Sequence, residues 1–310
     1  MYLRYKMKNF SHWLKNRLIS DEEYSSKRFQ KRFGFKPNFK NPQTFNEKIN
    51  SLKLSNDCYK LALFVDKLLV QSYIRDLLGK DYLVPCLGAY EKFDRKLFDS
   101  LPEKFVIKGS HGSAMNYLVH QKKEVDYHYL KKLTSKWLAK NFYLHGREKA
   151  YRYLKPRLII EELMEDEKGQ PPPDYKFYCF NGNPKFIHVD FDRFNGHRRN
   201  LYDMNGKLLP VKYKKDIDFS KKTLSLDLSI FKETVEKLAS PFKFVRVDLY
   251  LYKEQIKFGE FTFTPINGFG KIEPEIYDKK FGDLLEIGDD YSFFRQITQE
   301  KHALLKTDVR

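Results

Sequence analysis

The sequence predicts an α+β fold, with mixed or antiparallel sheets in separate lobes flanked by helices, and three observations carry that prediction. Runs of alternating polar and apolar residues come in close pairs across turn signals, as in Phe244–Tyr250 with Phe258–Thr262 and Phe177–Phe180 with Lys185–Phe191. Short connections of this kind make antiparallel neighbours, since a parallel pair needs a crossover of a dozen residues or more. Helical patterns precede and separate these pairs, and 310 residues with 41% hydrophobic content suffice for two or three lobes with buried cores.

In chain order, Leu3, Met7, Phe10, Leu14 and Leu18 recur at helical spacing, with Arg4, Lys6, Lys8, Lys15 and Arg17 and no acid before Asp21. This reads as a basic amphipathic helix. Charges interrupt every apolar run, so it is neither a signal peptide nor a membrane span. It suits an anionic lipid surface, or packs its apolar face on the body of the protein. After the irregular stretch Lys36–Pro42, Thr44 with Glu47 three residues on is a capping-box pattern that starts a helix through about Leu54. Leu61–Leu78 reads as one helix ending near Gly79. Phe105–Ile107 is a strand that ends at Lys108, and Met115–Val119 is another, so the small residues between them cap a hairpin. Asp126–Leu154 reads as mainly helical with a break near Gly146, and Leu158–Met164 as a buried strand. Lys168–Pro173 is an exposed loop, and Asn181-Gly182 is a hairpin turn. No internal repeat or low-complexity tract is present.

Lys and Arg number 58 against 41 Asp and Glu, a net charge of +17, which implies attraction to anions. Nucleic acid, an anionic membrane and an acidic glycan satisfy that charge equally. The chain has no zinc-finger, helix-turn-helix or RNP signature, so no nucleic-acid partner is expected. Cys58, Cys86 and Cys179 are scattered without metal-ligand spacing, which favours a reduced, cytoplasmic compartment and offers no nucleophile. His111, inside the small-residue loop, is the one histidine set among candidate functional residues.

Two stretches carry chemistry. In Phe244-Val-Arg-Val-Asp-Leu-Tyr250, alternation puts Arg246, Asp248 and Tyr250 on one face and Val245, Val247 and Leu249 on the other, so the polar set looks into a cleft or solvent. A hairpin centred on Glu254 sets Asp248 opposite Glu260 and Arg246 opposite Thr262. Facing carboxylates repel, and a hard cation with oxygen ligands is a natural partner. Taken alone, the hairpin serves equally as a solvated acid pair neutralised by Arg246. The second stretch, Lys108-Gly-Ser-His-Gly-Ser113, sets a lysine at a strand end before small residues whose amides suit phosphates. It matches neither the P-loop nor the dinucleotide pattern, and a strand-loop-strand cover differs from a loop that opens a helix.

With Asp66-Lys67, Lys155-Pro-Arg157 followed by Ile160-Glu161, Asp174–Gly182, Pro184–Ile187 and Asp192–Phe194, these motifs run in an order that resembles the ATP-grasp superfamily. Within it they resemble the branch named for teichuronopeptide biosynthesis, found among enzymes of bacterial surface polysaccharides, over about Pro42 to Leu285. The resemblance implies an ATP-grasp fold with boundaries near 1–60, 61–103, 104–165, 166–290 and 291–310. It implies ATP and magnesium as cofactors. Lys67 and Lys108 match the two phosphate-binding lysines, and Ser110, Gly112 and Ser113 a flap over the β- and γ-phosphates. Glu161 matches the adenine hinge, with the backbone at Leu163 and Met164 reading the base and Glu165 or Asp166 reaching the ribose. Asp248 and Glu260 match the magnesium ligands, and Arg246 an arginine that neutralises charge during acyl transfer. Thr262 departs from the asparagine that members often carry, and its hydroxyl is a poorer oxygen ligand, so a second metal site does not follow.

The function implied is an ATP-dependent carboxylate–amine ligase of surface or capsular polysaccharide assembly, joining an amine or amino acid to a uronic-acid carboxylate. Its partners would be an anionic saccharide or lipid-linked glycan, the amine, and an anionic membrane touched from the cytoplasmic side. For the acceptor, Arg193 lies within the family-like motif, whereas His197-Arg198-Arg199 reads as a solvated loop. Lys176 contacts nucleotide or substrate, or forms a salt bridge to Asp174 or a neighbour. The alternatives are a phosphotransferase on the same fold and a non-catalytic module for anionic polymers or membranes.

Overall fold

Ser20 accepts a hydrogen bond from the Glu23 amide and so caps the first helix, α1 (Asp21–Phe33), which stops at Gly34 in the left-handed conformation. The computed structural model describes residues 19–167, 169–191 and 196–295. The basic repeat of Leu3–Leu18 and the motif residues Asp192, Arg193 and Phe194 lie outside the described residues. Helix α2 (Phe45–Leu54) carries the capping box: Thr44 accepts from the Glu47 amide while the Glu47 carboxylate accepts from the Thr44 amide.

The continuous helix expected over 61–78 is broken in two. After a 3₁₀ turn at Asn56–Leu61 come α3 (Ala62–Val65) and α4 (Val70–Leu78), with Asp66 in extended conformation between them. The cause is local: the Asp66 carboxylate accepts from the amides of Leu68 and Leu69, which caps the next turn and exposes a corner at Lys67. Periodicity cannot register such a break, because the apolar spacing continues across it.

Two antiparallel sheets follow. The first has strand order β1 (Cys86–Tyr90), β4 (Leu158–Glu161), β2 (Phe105–Gly109), β3 (Asn116–Val119). Because β1 is drawn in, this sheet begins before residue 104. Phe105, Ile107, Leu158 and Ile160 form one core with Phe98 of α5 (Arg95–Ser100) and with Leu130 and Trp137 of α6 (Tyr127–Leu138). Alternation sends Val106, Lys108, Ile159 and Glu161 to the other face. The helix expected to run to Leu154 stops at Leu138, leaving a single turn, α7 (Tyr143–Gly146), that ends with Arg147 in the left-handed region at φ 58°.

The larger sheet orders β11 (Gln255–Thr262), β10 (Phe244–Tyr252), β5 (Asp174–Phe180), β6 (Asn183–Phe191), β7 (Arg198–Asp203) and β8 (Leu208–Leu209). Asn181 and Gly182 both take positive φ, at 50° and 84°, as the two-residue turn between β5 and β6 requires. On its back, Tyr175 and Phe177 pack on Phe231 of α8 (Ser229–Ala239), with ring centroids 5.4 and 5.2 Å away. On its front, Phe180 and Phe244 meet Phe45 of α2, and Phe186 stacks on Phe281 of α9 (Ile276–Asp283) at 4.4 Å. A ribbon of β9 (Lys212–Tyr213) and β12 (Ile272–Glu273) completes the structure. The aromatic cover ends partway along the front face. Beyond it the same face turns polar, and that boundary defines the site.

Candidate active site

The acidic pair is set by a register that depends on one glycine. β10 turns into β11 through Lys253 and Glu254, both at positive φ, and Tyr252 pairs with Gln255. That two-residue turn, continued regularly, would set Asp248 against Gly259 and send Glu260 to the back face. A bulge adds Gly259 between Phe258, opposite Leu249, and Glu260, opposite Asp248, so the expected pairings Asp248 with Glu260 and Arg246 with Thr262 do occur. The sequence reading therefore reached the right partners through a turn placed half a residue off. A Cβ on Gly259 would lie 2.9 Å from the Asp248 carbonyl oxygen, which the backbone cannot accommodate in place. Gly259→Ala should lower stability by about 1 to 3 kcal/mol in denaturant titrations, the usual range for overpacking.

One row of directly paired residues crosses the front face: Glu260, Asp248, Lys176 and His188 on β11, β10, β5 and β6. Arg246 reaches across its own strand to hold both Asp248 oxygens, Nε to Oδ1 at 2.7 Å and Nη2 to Oδ2 at 2.6 Å. Lys176 donates to Asp248 Oδ2 at 3.1 Å and also binds Asp174, so both salt-bridge readings of Lys176 are met. Glu260 lies 3.6 Å from Arg246 and 3.1 Å from Lys67, which arrives from the α3–α4 corner. Lys67 Nζ also donates to the Gly112 carbonyl at 2.9 Å, tying the small-residue loop to the acids.

Burial decides the charge states. Asp248 is only 2% exposed, not open to a cleft as alternation alone suggested, and burial raises its pKa despite Arg246 and Lys176. Burial also opposes the charge of Glu260, but Lys67, Arg246 and Lys176 outweigh it and hold its pKa below the ordinary value. Lys176 is desolvated as well, and Asp248 and Asp174 more than compensate, raising its pKa. Three cations thus interleave with three carboxylates. Magnesium, which this family of folds implies, has the oxygen chemistry it requires in Asp248 and Glu260 with Thr262 beside them. Among the described residues no three His, Cys, Asp or Glu gather into a metal cluster. The donors fit one cation.

On the smaller sheet Lys108 donates to Glu161 Oε2 at 2.5 Å, both on the face away from the core. Ser110 is fully buried: its hydroxyl donates to Asp66 at 3.2 Å and its amide to the Arg157 carbonyl. Gly112 is buried too, and a Cβ there would meet Phe142 at 2.5 Å. The exposed tip is Ser113 and Ala114. His111 bonds the Trp137 carbonyl at 3.0 Å, and burial lowers its pKa, which marks a structural histidine. Leu163 and Met164 continue from β4, half-buried. Glu165 is held by Lys104 and His120, while the Asp166 carboxylate accepts from the Gln170 amide at 2.8 Å and shapes a turn.

One cluster escaped the sequence reading. Asp190, beside His188 on β6, is bonded on one oxygen by His197 at 2.8 Å and Arg199 at 2.8 Å, and His188 Nε2 lies 3.0 Å from the same oxygen, its ring kept neutral by burial. Arg199 is therefore no solvated loop residue; it lies on β7 with its side chain 11% exposed. The shared parity of residues 174, 176, 188 and 190 was the available signal.

The family model described as TupA-like ATPgrasp matches residues 47–286, which takes in both halves of this site. The chain belongs to the TupA-like ATP-grasp family. No curated protein matches it. Among solved structures it is similar to the D-alanine–D-alanine ligase of Bacillus anthracis complexed with ATP, at 14% identity over 67% of this chain and 57% of that one, with a TM-score of 0.39. It is also similar to the ATP-grasp ligase PsnB complexed with minimal precursor, at 12% identity over 71% and 58%, TM-score 0.37. The D-alanine–D-alanine ligase of Helicobacter pylori gives 18% identity over 66% and 56%, TM-score 0.35. The chain spans less than three-fifths of the length of each of these structures.

Proposed function

We propose that this TupA-like chain is an ATP-dependent carboxylate–amine ligase. A carboxylate oxygen attacks the γ-phosphorus, ADP leaves, an amine attacks the resulting acyl phosphate, and phosphate and a proton depart as the amide forms. The observation that carries this reading is the unbroken run of contacts from the Gly112 carbonyl through Lys67, Glu260, Arg246 and Asp248 to Lys176. It joins a loop suited to phosphates with an acid pair suited to a metal. When bound, magnesium supplies charge neutralisation at phosphate oxygens. The chain's own groups do the rest: Arg246 and Lys176 are fixed in place by Asp248, so they meet negative charge developing on oxygen with little reorganisation. Lys67 and Lys108 are the phosphate-binding lysines, Ser113 and Gly112 belong to the covering loop, and the backbone at Leu163 and Met164 takes the base. Arg193 is the acceptor-binding arginine.

The family and the charge of +17 support a uronic-acid carboxylate on a bacterial surface polysaccharide as acceptor, and an amine or amino acid as its partner. Among the described residues no helix is long and apolar enough to cross a membrane. Hydroxylamine tests the reaction class: incubation with ATP, magnesium, hydroxylamine and galacturonic or glucuronic acid should yield a hydroxamate together with ADP. ADP without hydroxamate would mean direct phosphotransfer. No ADP with any carboxylate tried would leave a binding module.

A further inference from the structure

Between β9 and α8 the chain forms a loop over residues 216–223 that takes no part in the site above. Phe219 stands at its tip, 61% exposed. Single exposed aromatics are ordinary on protein surfaces. This one rises from a base held by two fully buried polar residues of β7. Asn200 Nδ2 donates to the Asp218 carbonyl at 2.9 Å, and its Oδ1 accepts from the Asp218 amide at 2.8 Å. The Tyr202 hydroxyl donates to the Lys221 carbonyl at 2.9 Å. Asp218 closes the turn by accepting from the Ser220 amide and hydroxyl at 3.1 and 2.5 Å. Both limbs are thus fixed, and the aromatic ring is presented rather than left loose.

The loop and its flanks carry exposed cations. Arg198, Lys214, Lys221 and Lys222 are exposed in or beside it, with Arg198 donating to the Ile217 carbonyl at 3.3 Å and the Lys221 ammonium 4.9 Å from the Phe191 ring centroid. The nearby carboxylates are already engaged, Asp216 with Lys212 at 2.7 Å and Asp218 with Ser220. Long cationic side chains around one bulky apolar group can lie flat on headgroups while the ring enters the acyl boundary.

We propose that this loop is a membrane foot, with Phe219 entering the interface of an anionic bilayer and Arg198, Lys214, Lys221 and Lys222 holding the lipid headgroups. The foot is joined to the front face of the sheet, since Arg199, beside Arg198, donates its amide to the Asp216 carbonyl at 3.0 Å and its side chain to Asp190. The inference does not depend on the ligase reading.

Sedimentation of the full chain with phosphatidylserine–phosphatidylcholine vesicles tests it, with phosphatidylcholine vesicles alone as comparison. Wild-type protein should pellet with the anionic vesicles and be released by salt. Phe219→Ser should weaken binding about tenfold, and Lys221→Ala with Lys222→Ala should flatten the salt dependence. Because the N-terminal basic segment can also bind, Phe219→Trp supplies a local readout: its emission, taken as the difference from wild type, should shift to the blue on anionic vesicles. Wild-type protein remaining in solution, Phe219→Ser binding within about twofold of wild type, or an unshifted difference spectrum would each overturn the proposal.

Discussion

Alanine at Arg246 will reduce turnover roughly 10²- to 10³-fold, about 3 to 4 kcal/mol of barrier, while leaving nucleotide affinity within a few-fold. The split follows from position. Arg246 makes its short bonds to Asp248 and lies farther from Glu260, whereas Lys108 pairs with Glu161 on the smaller sheet. Its charge is therefore concentrated at the acid row, where oxyanion charge would develop. The same substitution removes the main neutralising partner of a nearly inaccessible carboxylate, and stranding a buried charge can destabilise by several kcal/mol. Two features limit that loss here. Lys176 remains bonded to Asp248, and burial already raises the Asp248 pKa, so the carboxyl can escape by taking a proton. The sign follows: a carboxyl with a folded pKa above its unfolded value loses stability as pH rises through that interval. Without Arg246 the interval widens upward, so the stability defect of Arg246→Ala should shrink as pH falls toward the unfolded carboxylate value. Steady-state kinetics, nucleotide titration and urea unfolding at two pH values check the three parts. Equal loss of ADP binding and turnover would remove Arg246 from a charge-stabilising role.

The β10–β11 end of the front-face row was legible in the sequence through alternation within β10 and antiparallel pairing across one hairpin, though with the turn placed half a residue off, and the continuation to Lys176 and His188 was not. The capping box at Thr44 was legible for the same reason: its partners lie three residues apart. What escaped depends on contacts distant in sequence. Asp66 breaks a helix and also accepts from Ser110, 44 residues away, so the corner that delivers Lys67 cannot be seen from apolar spacing. Arg199 looked solvated within a basic run, and only the pairing of β6 with β7 reveals the Asp190 carboxylate beneath it. The Gly259 bulge is a third case, since it reverses the face of Glu260 without leaving a periodic trace.

Glu148→Gln should give the largest stability defect outside the site, roughly 3 kcal/mol near pH 6, and the defect should fade as pH rises. Lys53, completely buried, donates to Asn267 Oδ1 at 2.9 Å, while Asn267 Nδ2 donates to Glu148 at 2.8 Å and Thr264 bonds the other Glu148 oxygen. The amide of Asn267 therefore bridges a buried cation and a buried anion, just past the strand that carries Glu260. Gly146 leaves room for it, since a Cβ there would sit 1.5 Å from the Asn267 amide nitrogen. Burial, only partly countered by Glu148, pulls the Lys53 pKa from 10.5 down to about 7. The folded state then binds fewer protons than the unfolded state between about pH 7 and 10.5, so stability rises with pH across that window. Without the Glu148 charge the Lys53 pKa falls further. Burial raises the Glu148 pKa as well, against Thr264 and Lys53, so the Glu148 charge supports Lys53 only above that raised value. Near pH 6 the variant must discharge a lysine that wild type keeps charged; near pH 9 Lys53 is largely neutral in both. Lys53→Met combined with Glu148→Gln removes both charges and should recover much of the loss, as replacing a whole buried pair often does. Guanidinium unfolding of the three proteins at both pH values reads the outcome. A Glu148→Gln defect of the same size at pH 6 and pH 9 would mean that packing and hydrogen bonds, rather than the paired charges, hold this junction.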